Sequence, residues 1–203
     1  YQSNEKLIEA KKSFKNYPGN FGEYVGIIGA GMIGKIVIGM LKQYNLKVIV
    51  FDPFLSDEKA DELGVEKCEL HEVFERAFVV SNHLANNSET QGMLNYNLFA
   101  SMPQYATFLN TGRGAQVVES DLIKVLKERK DVTAVLDVTF PEPPENDSEL
   151  YSLCNCILTP HIAGSSGLET YRMAEYMLDE YKKFVNGQPT EYQVTAEMLK
   201  TMA

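Results

Sequence analysis

Three side chains in this sequence combine a reactive head group with a constrained local backbone. Arg113 stands between two glycines in Asn110-Thr111-Gly112-Arg113-Gly114, directly after the apolar run Thr107-Phe108-Leu109. A guanidinium held at the end of a strand offers planar, bidentate recognition of a carboxylate, although an arginine in a turn is commonly a plain surface residue. His161 follows Thr159-Pro160 and a second apolar run, Cys156-Ile157-Leu158. Imidazole titrates near neutrality and can carry a proton in either direction, whereas a lone histidine is more often packing or surface. Glu142 lies in Phe140-Pro141-Glu142-Pro143-Pro144, where flanking prolines limit its wandering; alone it reads as a solvated loop acid.

A different chemistry is written in Val25-Gly26-Ile27-Ile28-Gly29-Ala30-Gly31-Met32-Ile33-Gly34. It reads as a short apolar strand, a glycine-rich turn and a helix start. Gly29, Gly31 and Gly34 fit the G-x-G-x-x-G dinucleotide fingerprint: the first for the tight turn, the second for backbone approach to a pyrophosphate, the third for close helix–strand packing. The following helix would aim its free amides and positive dipole end at the phosphates. A second strand, Lys47-Val48-Ile49-Val50-Phe51, ends in Asp52, 18 residues after Gly34. That is close to the roughly 20-residue spacing at which an acid meets the ribose hydroxyls.

These residues need elements to hold them. Helices are expected at Asn4 to Phe14, Met32 to Gln43, Ser56 to Leu63, Leu70 to Arg76, Asn95 to Met102, Glu119 to Arg129 and Leu168 to Asn186. Ser56 serves as an N-cap and Gly64 as a stop, while Tyr17-Pro18-Gly19-Asn20 is a loop. Further strands are expected at Val65 to Cys68, Ala77 to Ser81 and Val132 to Leu136. Strands alternating with helices, several of them continuously apolar, imply a doubly wound parallel sheet with helices on both faces. Ligands bind such sheets at the carboxyl ends of the strands, so Asp52, Ser81 to His83, Asn110 to Gly114, Asp137 and Thr159 to His161 are the residues to inspect.

The chain has 203 residues, 44% hydrophobic and 23% charged, with a formal net charge of −9. This is ordinary for a soluble globular protein and argues against a nucleic-acid footprint or attraction to anionic lipid. No apolar run approaches the roughly 20 residues of a membrane span, and no signal-peptide pattern opens the chain. Three cysteines, Cys68, Cys154 and Cys156, lack redox spacing and suit a reducing cytosol, so a cytoplasmic location is expected. No metal ligand set is expected.

From Tyr24 onward the chain resembles the NAD-binding domain of the D-isomer-specific 2-hydroxyacid dehydrogenases, a family that includes D-3-phosphoglycerate dehydrogenase. The resemblance rests on Gly29 to Gly34, Phe51-Asp52-Pro53, Asn110 to Gly114, Leu136-Asp137-Val138 through Glu142-Pro143, and Thr159-Pro160-His161-Ile162-Ala163-Gly164. It implies a Rossmann-type three-layer domain that binds NAD and serves hydride transfer between a D-2-hydroxy acid and a 2-oxo acid. Arg113 would bind the substrate carboxylate and polarise the carbonyl, His161 would be the acid/base, and Glu142 would hold it and stabilise its imidazolium. Asp137 is expected near the nicotinamide carboxamide, with Thr111 and Gly112 along the nicotinamide. The resemblance also places Met32, Ile33, Pro53, His83, Thr90 and Gly164 around the cofactor. Asp52, with no Arg or Lys immediately following, favours NAD over NADP.

Some positions depart from the family pattern. Met32 stands where an arginine is common, His83-Leu84-Ala85 replaces His-x-Pro, and Asn87 replaces a threonine, while Thr90 is in place. The family pairs this domain with a substrate domain, which the resemblance leads one to expect outside this stretch of sequence. Residues 1–20 are therefore read as a hinge helix and linker remnant, 21–190 as the cofactor domain and 191–203 as a return segment. On that reading the isolated chain binds NAD but turns over poorly, and it pairs as a homodimer. The same fold and triad also occur in C-terminal binding proteins, so a non-catalytic NAD-sensing module is the alternative. Another type of Rossmann dehydrogenase would leave the placement of Arg113, Glu142 and His161 unexplained.

Overall fold

Runs such as Val48-Ile49-Val50 have no polar face to turn toward water, so they are stable only where both faces of a sheet are covered. They become the strands of one all-parallel sheet. The structure, a computed structural model, describes residues 3–13 and 19–200. Phe14 at the end of the expected first helix, and Tyr17 and Pro18 of the expected loop, lie outside those residues. The strands are β1 (Tyr24–Ile28), β2 (Lys47–Phe51), β3 (Glu66–Lys67), β4 (Val79–Asn82), β5 (Thr107–Asn110), β6 (Thr133–Leu136) and β7 (Cys156–Leu158). Their spatial order is β3-β2-β1-β4-β5-β6-β7. The direction of winding reverses between β1 and β4, which makes the crevice above those two strands the natural ligand site of a Rossmann-like sheet.

Among the described residues seven α-helices accompany the strands: α1 (Asn4–Ser13), α2 (Met32–Leu41), α3 (Asp57–Leu63), α4 (Leu70–Arg76), α5 (Tyr96–Ser101), α6 (Glu119–Glu128) and α7 (Glu169–Val185). Alternate strand residues enter two separate cores. Val25 and Ile27 of β1, with Val48 and Val50 of β2, pack against Ile38 of α2 and Ala60 of α3. Ile28, Ile49 and Val80 join Phe74, Phe99, Phe108, Leu122 and Leu126 on the other face, under α4, α5 and α6. At the centre of that larger core three rings meet. Phe99 stands edge-on to Phe74 at 5.6 Å and to Phe108 at 5.0 Å between centroids.

Local signals set the helix ends. The Ser56 hydroxyl accepts from Lys59 N at 3.3 Å at the start of α3, and Gly64 ends it in the left-handed region at φ +61°. Several element ends differ from the sequence expectation: α2 stops at Leu41 rather than Gln43, and β3 keeps only Glu66 and Lys67. β4 begins at Val79, because Ala77 still closes α4 through its N–H to Val73 O, and it runs one residue further to Asn82. Asn82 can end a buried strand because its side chain finds buried partners. The long helix α7 leaves Tyr171, Met177, Tyr181 and Phe184 exposed, and its buried residue is Glu180, which accepts from Glu191 N and Tyr192 N. No helix among the described residues is long and apolar enough to cross a membrane.

The aromatic trio gives a direct stability test. Phe99→Ala should destabilise the domain by about 3–5 kcal/mol, the range for deleting a buried ring. The measurement is the urea midpoint at unchanged m-value; a loss under about 1 kcal/mol would show that the trio lies outside the cooperative core.

Candidate active site

At the end of β1 the chain must reverse within a narrow space. Gly29 adopts φ +92°, and a Cβ built on it would lie 2.7 Å from the His83 carbonyl oxygen. Gly34, one helical turn on, faces Gly29 so closely that a Cβ would overlap its carbonyl oxygen. Gly31 is the opposite case: a Cβ there would meet nothing within 4 Å. It caps the N-terminus of α2. An open space over a helix N-terminus is what a pyrophosphate needs, so the residues present fit the phosphate half of a dinucleotide. Asp52 closes the turn from the side, accepting from Ala30 N at 2.6 Å through one carboxylate oxygen and from Phe54 N at 2.8 Å through the other.

Gly29, Gly31 and Asp52 line a cleft of about 330 Å³ over the β1–β4 crevice, together with Met32, Ile33, Pro53, His83, Thr90, Thr111, Gly112 and Arg113, while Gly34 is buried behind it. Met32 and Ile33 are largely exposed at its mouth. Burial pushes the His83 imidazole below its ordinary value, which favours the neutral ring, and its Nε2 lies 2.9 Å from Ser81 Oγ. Asn87 takes up the role of a turn former: its Oδ1 accepts from Glu89 N at 2.9 Å and Thr90 N at 3.1 Å. The Thr90 hydroxyl then donates to Ala85 O at 2.7 Å, fixing the loop that carries His83. The Arg113 head group is exposed, with Nη1 donating to Gly112 O at 2.8 Å.

A second depression of about 430 Å³ is lined by Asp137, Thr139, Glu142, Thr159, Pro160 and His161, among others. His161 sits in the left-handed region at φ +52°, an unfavourable conformation for a side chain with a Cβ. Its surroundings force it there. His161 N donates to Asp137 O at 3.1 Å and Thr159 O at 3.0 Å. The Asp137 carboxylate accepts from Thr159 Oγ1 at 2.5 Å, Ile162 N at 2.9 Å and Ala163 N at 2.8 Å. Burial would raise the Asp137 pKa, but the Thr159 hydroxyl, the two amides and the nearby His161 outweigh it and hold the carboxyl below the usual range. The turn presents the imidazole with Nδ1 2.6 Å from Glu142 Oε1. With Nδ1 taken by the carboxylate, Nε2 is the nitrogen left to exchange a proton with a ligand.

Glu142 and His161 thus meet, and Asp137 lies beneath them. Arg113 belongs to the wall of the first cleft. Next to Arg113, Gly114 packs against the backbone of Thr139, a residue of the second depression, so closely that a Cβ would overlap it. Gly164 is exposed with open space around it and lines neither depression. Three amides lie behind the cleft: sequence reasoning passed over Gln116 and flagged Asn82 and Asn110, at the ends of β4 and β5, without giving either a role. Asn82, Asn110 and Gln116 have no solvent exposure. Asn82 Nδ2 donates to Asn110 Oδ1 at 3.0 Å and to Gln116 Oε1 at 2.6 Å. For Asn82 and Asn110 the signal in the sequence is a polar residue closing an apolar run.

Residues 2–163 match the family described as the D-isomer specific 2-hydroxyacid dehydrogenase, NAD binding domain. A putative 2-hydroxyacid dehydrogenase, YoaD, of Bacillus subtilis is 39% identical over 158 residues, covering 76% of this chain and 45% of that protein. The chain therefore spans less than half of that relative's length. Among solved structures, apo D-mandelate dehydrogenase of Rhodotorula graminis superposes with a TM-score of 0.78 at 26% identity, covering 96% of this chain and 58% of that one. D-lactate dehydrogenase of Lactobacillus jensenii with NAD+ gives 0.71 at 25% identity, covering 85% and 56%. With a family match over most of its length and a sheet of the same kind, the chain belongs to the D-isomer specific 2-hydroxyacid dehydrogenases as an NAD-binding domain.

Proposed function

We propose that this domain serves an NAD-dependent oxidoreductase that interconverts a D-2-hydroxy acid and its 2-oxo acid, with His161 as acid/base, Glu142 as its partner and Arg113 as the carboxylate anchor. The observation that carries the reading is the His161 Nδ1–Glu142 Oε1 contact at 2.6 Å, made by a histidine whose backbone is held at φ +52°. Bound nicotinamide supplies the hydride chemistry at C2. In oxidation, His161 Nε2 takes the hydroxyl proton, and the Glu142 carboxylate stabilises the imidazolium that results. In reduction the same proton returns to the carbonyl oxygen. The exposed Arg113 guanidinium pairs with the substrate carboxylate from the neighbouring wall and orients C2. The Asp137 carboxylate acts by holding the turn that carries the imidazole, with its oxygens engaged by Thr159, Ile162 and Ala163. Cofactor selection falls to Asp52, whose charge would accept from ribose hydroxyls and repel a 2′-phosphate.

The test is steady-state turnover of 2-oxo acids with NADH by the complete protein that carries this domain. His161→Asn should lower kcat by about 10²–10⁴-fold, the range for losing a general acid/base, with NAD affinity little changed. Glu142→Gln should lose less, because the imidazole remains. An unaltered kcat in His161→Asn would remove the proton role. NAD binding without turnover of any 2-oxo acid by the unsubstituted protein would instead favour a non-catalytic NAD-responsive module.

Asp52 gives an independent measurement. Asp52→Asn keeps one oxygen acceptor, for Ala30 N of the glycine turn, and loses the charge together with the acceptor for Phe54 N. The unsubstituted domain should bind NAD more tightly than NADP, and the variant should narrow that preference by about tenfold, equivalent to roughly 1.4 kcal/mol. A preference unchanged by the substitution, followed by titration calorimetry, would take cofactor selection away from Asp52.

A further inference from the structure

Burying an amide side chain costs free energy unless every polar atom finds a partner, and apolar residues of similar shape would fill the same space at no such cost. Three amides buried together behind a binding cleft therefore call for a reason. Gln116 ends the short 3-10 turn Gly114–Gln116, immediately behind Arg113, and it has no solvent exposure. Both hydrogens of its Nε2 are used, to Leu84 O and to Ala85 O, each at 2.9 Å. Its Oε1 accepts from Asn82 Nδ2 at 2.6 Å. Through Asn82 the link continues to Asn110, whose Oδ1 also accepts from Gly112 N at 3.1 Å. Asn110 Nδ2 reaches Arg113 O at 3.3 Å. Asn82 Oδ1 closes the circuit by accepting from Leu84 N at 3.2 Å. With its donors and acceptor all engaged, the Gln116 amide has one orientation, and a fully satisfied buried network specifies a single arrangement of what it joins.

What it joins are two loops from different strands. The His83–Ala85 loop follows β4, the Thr111–Arg113 loop follows β5, and both line the first cleft. The side of the cleft built from Gly31 and Asp52 makes no hydrogen bond to the Gln116, Asn82 or Asn110 side chains among the bonds described above. We propose that Gln116 is a positioning residue that sets the spacing between these two loops and so holds the wall that receives the nicotinamide half of the dinucleotide. The inference rests on the NAD reading above. It assigns Gln116 no contact with the ligand; its effect passes through the carbonyls of Leu84 and Ala85 and through Asn82 and Asn110 to the Thr111–Arg113 backbone.

The experiment compares two ligands that share one half. NAD+ and ADP-ribose are titrated by calorimetry against the unsubstituted chain and against Gln116→Met, which keeps length and volume but has no hydrogen-bonding amide. NAD+ affinity should fall by about tenfold or more, and ADP-ribose affinity should stay within about twofold, because only the nicotinamide half meets the loosened wall. A general loosening of the fold would weaken both ligands together, and an inert residue would weaken neither; either result overturns the proposal. Circular dichroism and a thermal midpoint report whether the variant is folded. If Gln116→Met does not fold, Gln116→Asn, an amide too short to reach both carbonyls, is read by the same criterion. Failure of the unsubstituted chain to bind either ligand would overturn the NAD reading and this inference with it. Binding of both ligands with equal losses in the variant would overturn this inference alone.

Discussion

At the end of β1 the chain has to reverse between the His83 carbonyl on one side and the first turn of α2 on the other. The room there is too small for a Cβ on Gly29 or Gly34. That steric limit organises the rest of the sheet edge. Because the turn is tight, α2 starts directly over the β1–β4 crevice, and its free amides face the space where the winding reverses. Asp52 is drawn in to accept from Ala30 N, so the acid that would select the cofactor also braces the turn that would carry its phosphates.

The other half of the edge is built from polar side chains rather than from close glycine packing. Asn82, Asn110 and Gln116 tie the loops after β4 and β5 together, and Asp137 ties the loop after β7 to the end of β6. The two devices meet different needs. Loops that stop at a strand end have unpaired backbone groups, and buried amides or a carboxylate can satisfy several of these at once. The result is a row of short loops held by side chains whose polar atoms are taken up by backbone groups and by one another.

Much of the frame is legible in the sequence, because each cue there is local. The Val48-Ile49-Val50 run has only one environment that suits it, Ser56 and Gly64 mark the ends of α3, and the glycine spacing names the turn. The Glu142–His161 pair was reached through resemblance; the residues are 19 positions apart, and only the packing of the Asp137 turn brings their head groups together. Gln116 was invisible for the same reason in a stronger form. A glutamine between Ala115 and Val117 has no periodicity or motif to flag it, and its partners come from a loop about thirty residues away. The exposed face of α7 was also unreadable, since its apolar spacing is that of a packed helix.

The left-handed backbone at His161 has a consequence for what a stable version of this domain would look like. At φ +52° the residue that best suits the chain is glycine or asparagine, while the residue that can carry a proton is histidine. Folding and the proton role proposed for this side chain therefore call for different amino acids at one position. Retaining histidine there keeps on the order of 1–3 kcal/mol of conformational strain in the domain, which the three hydrogen bonds to Asp137 must offset. If the proton role proposed for His161 were lifted, the backbone would favour glycine or asparagine here, and the domain would gain stability from the change.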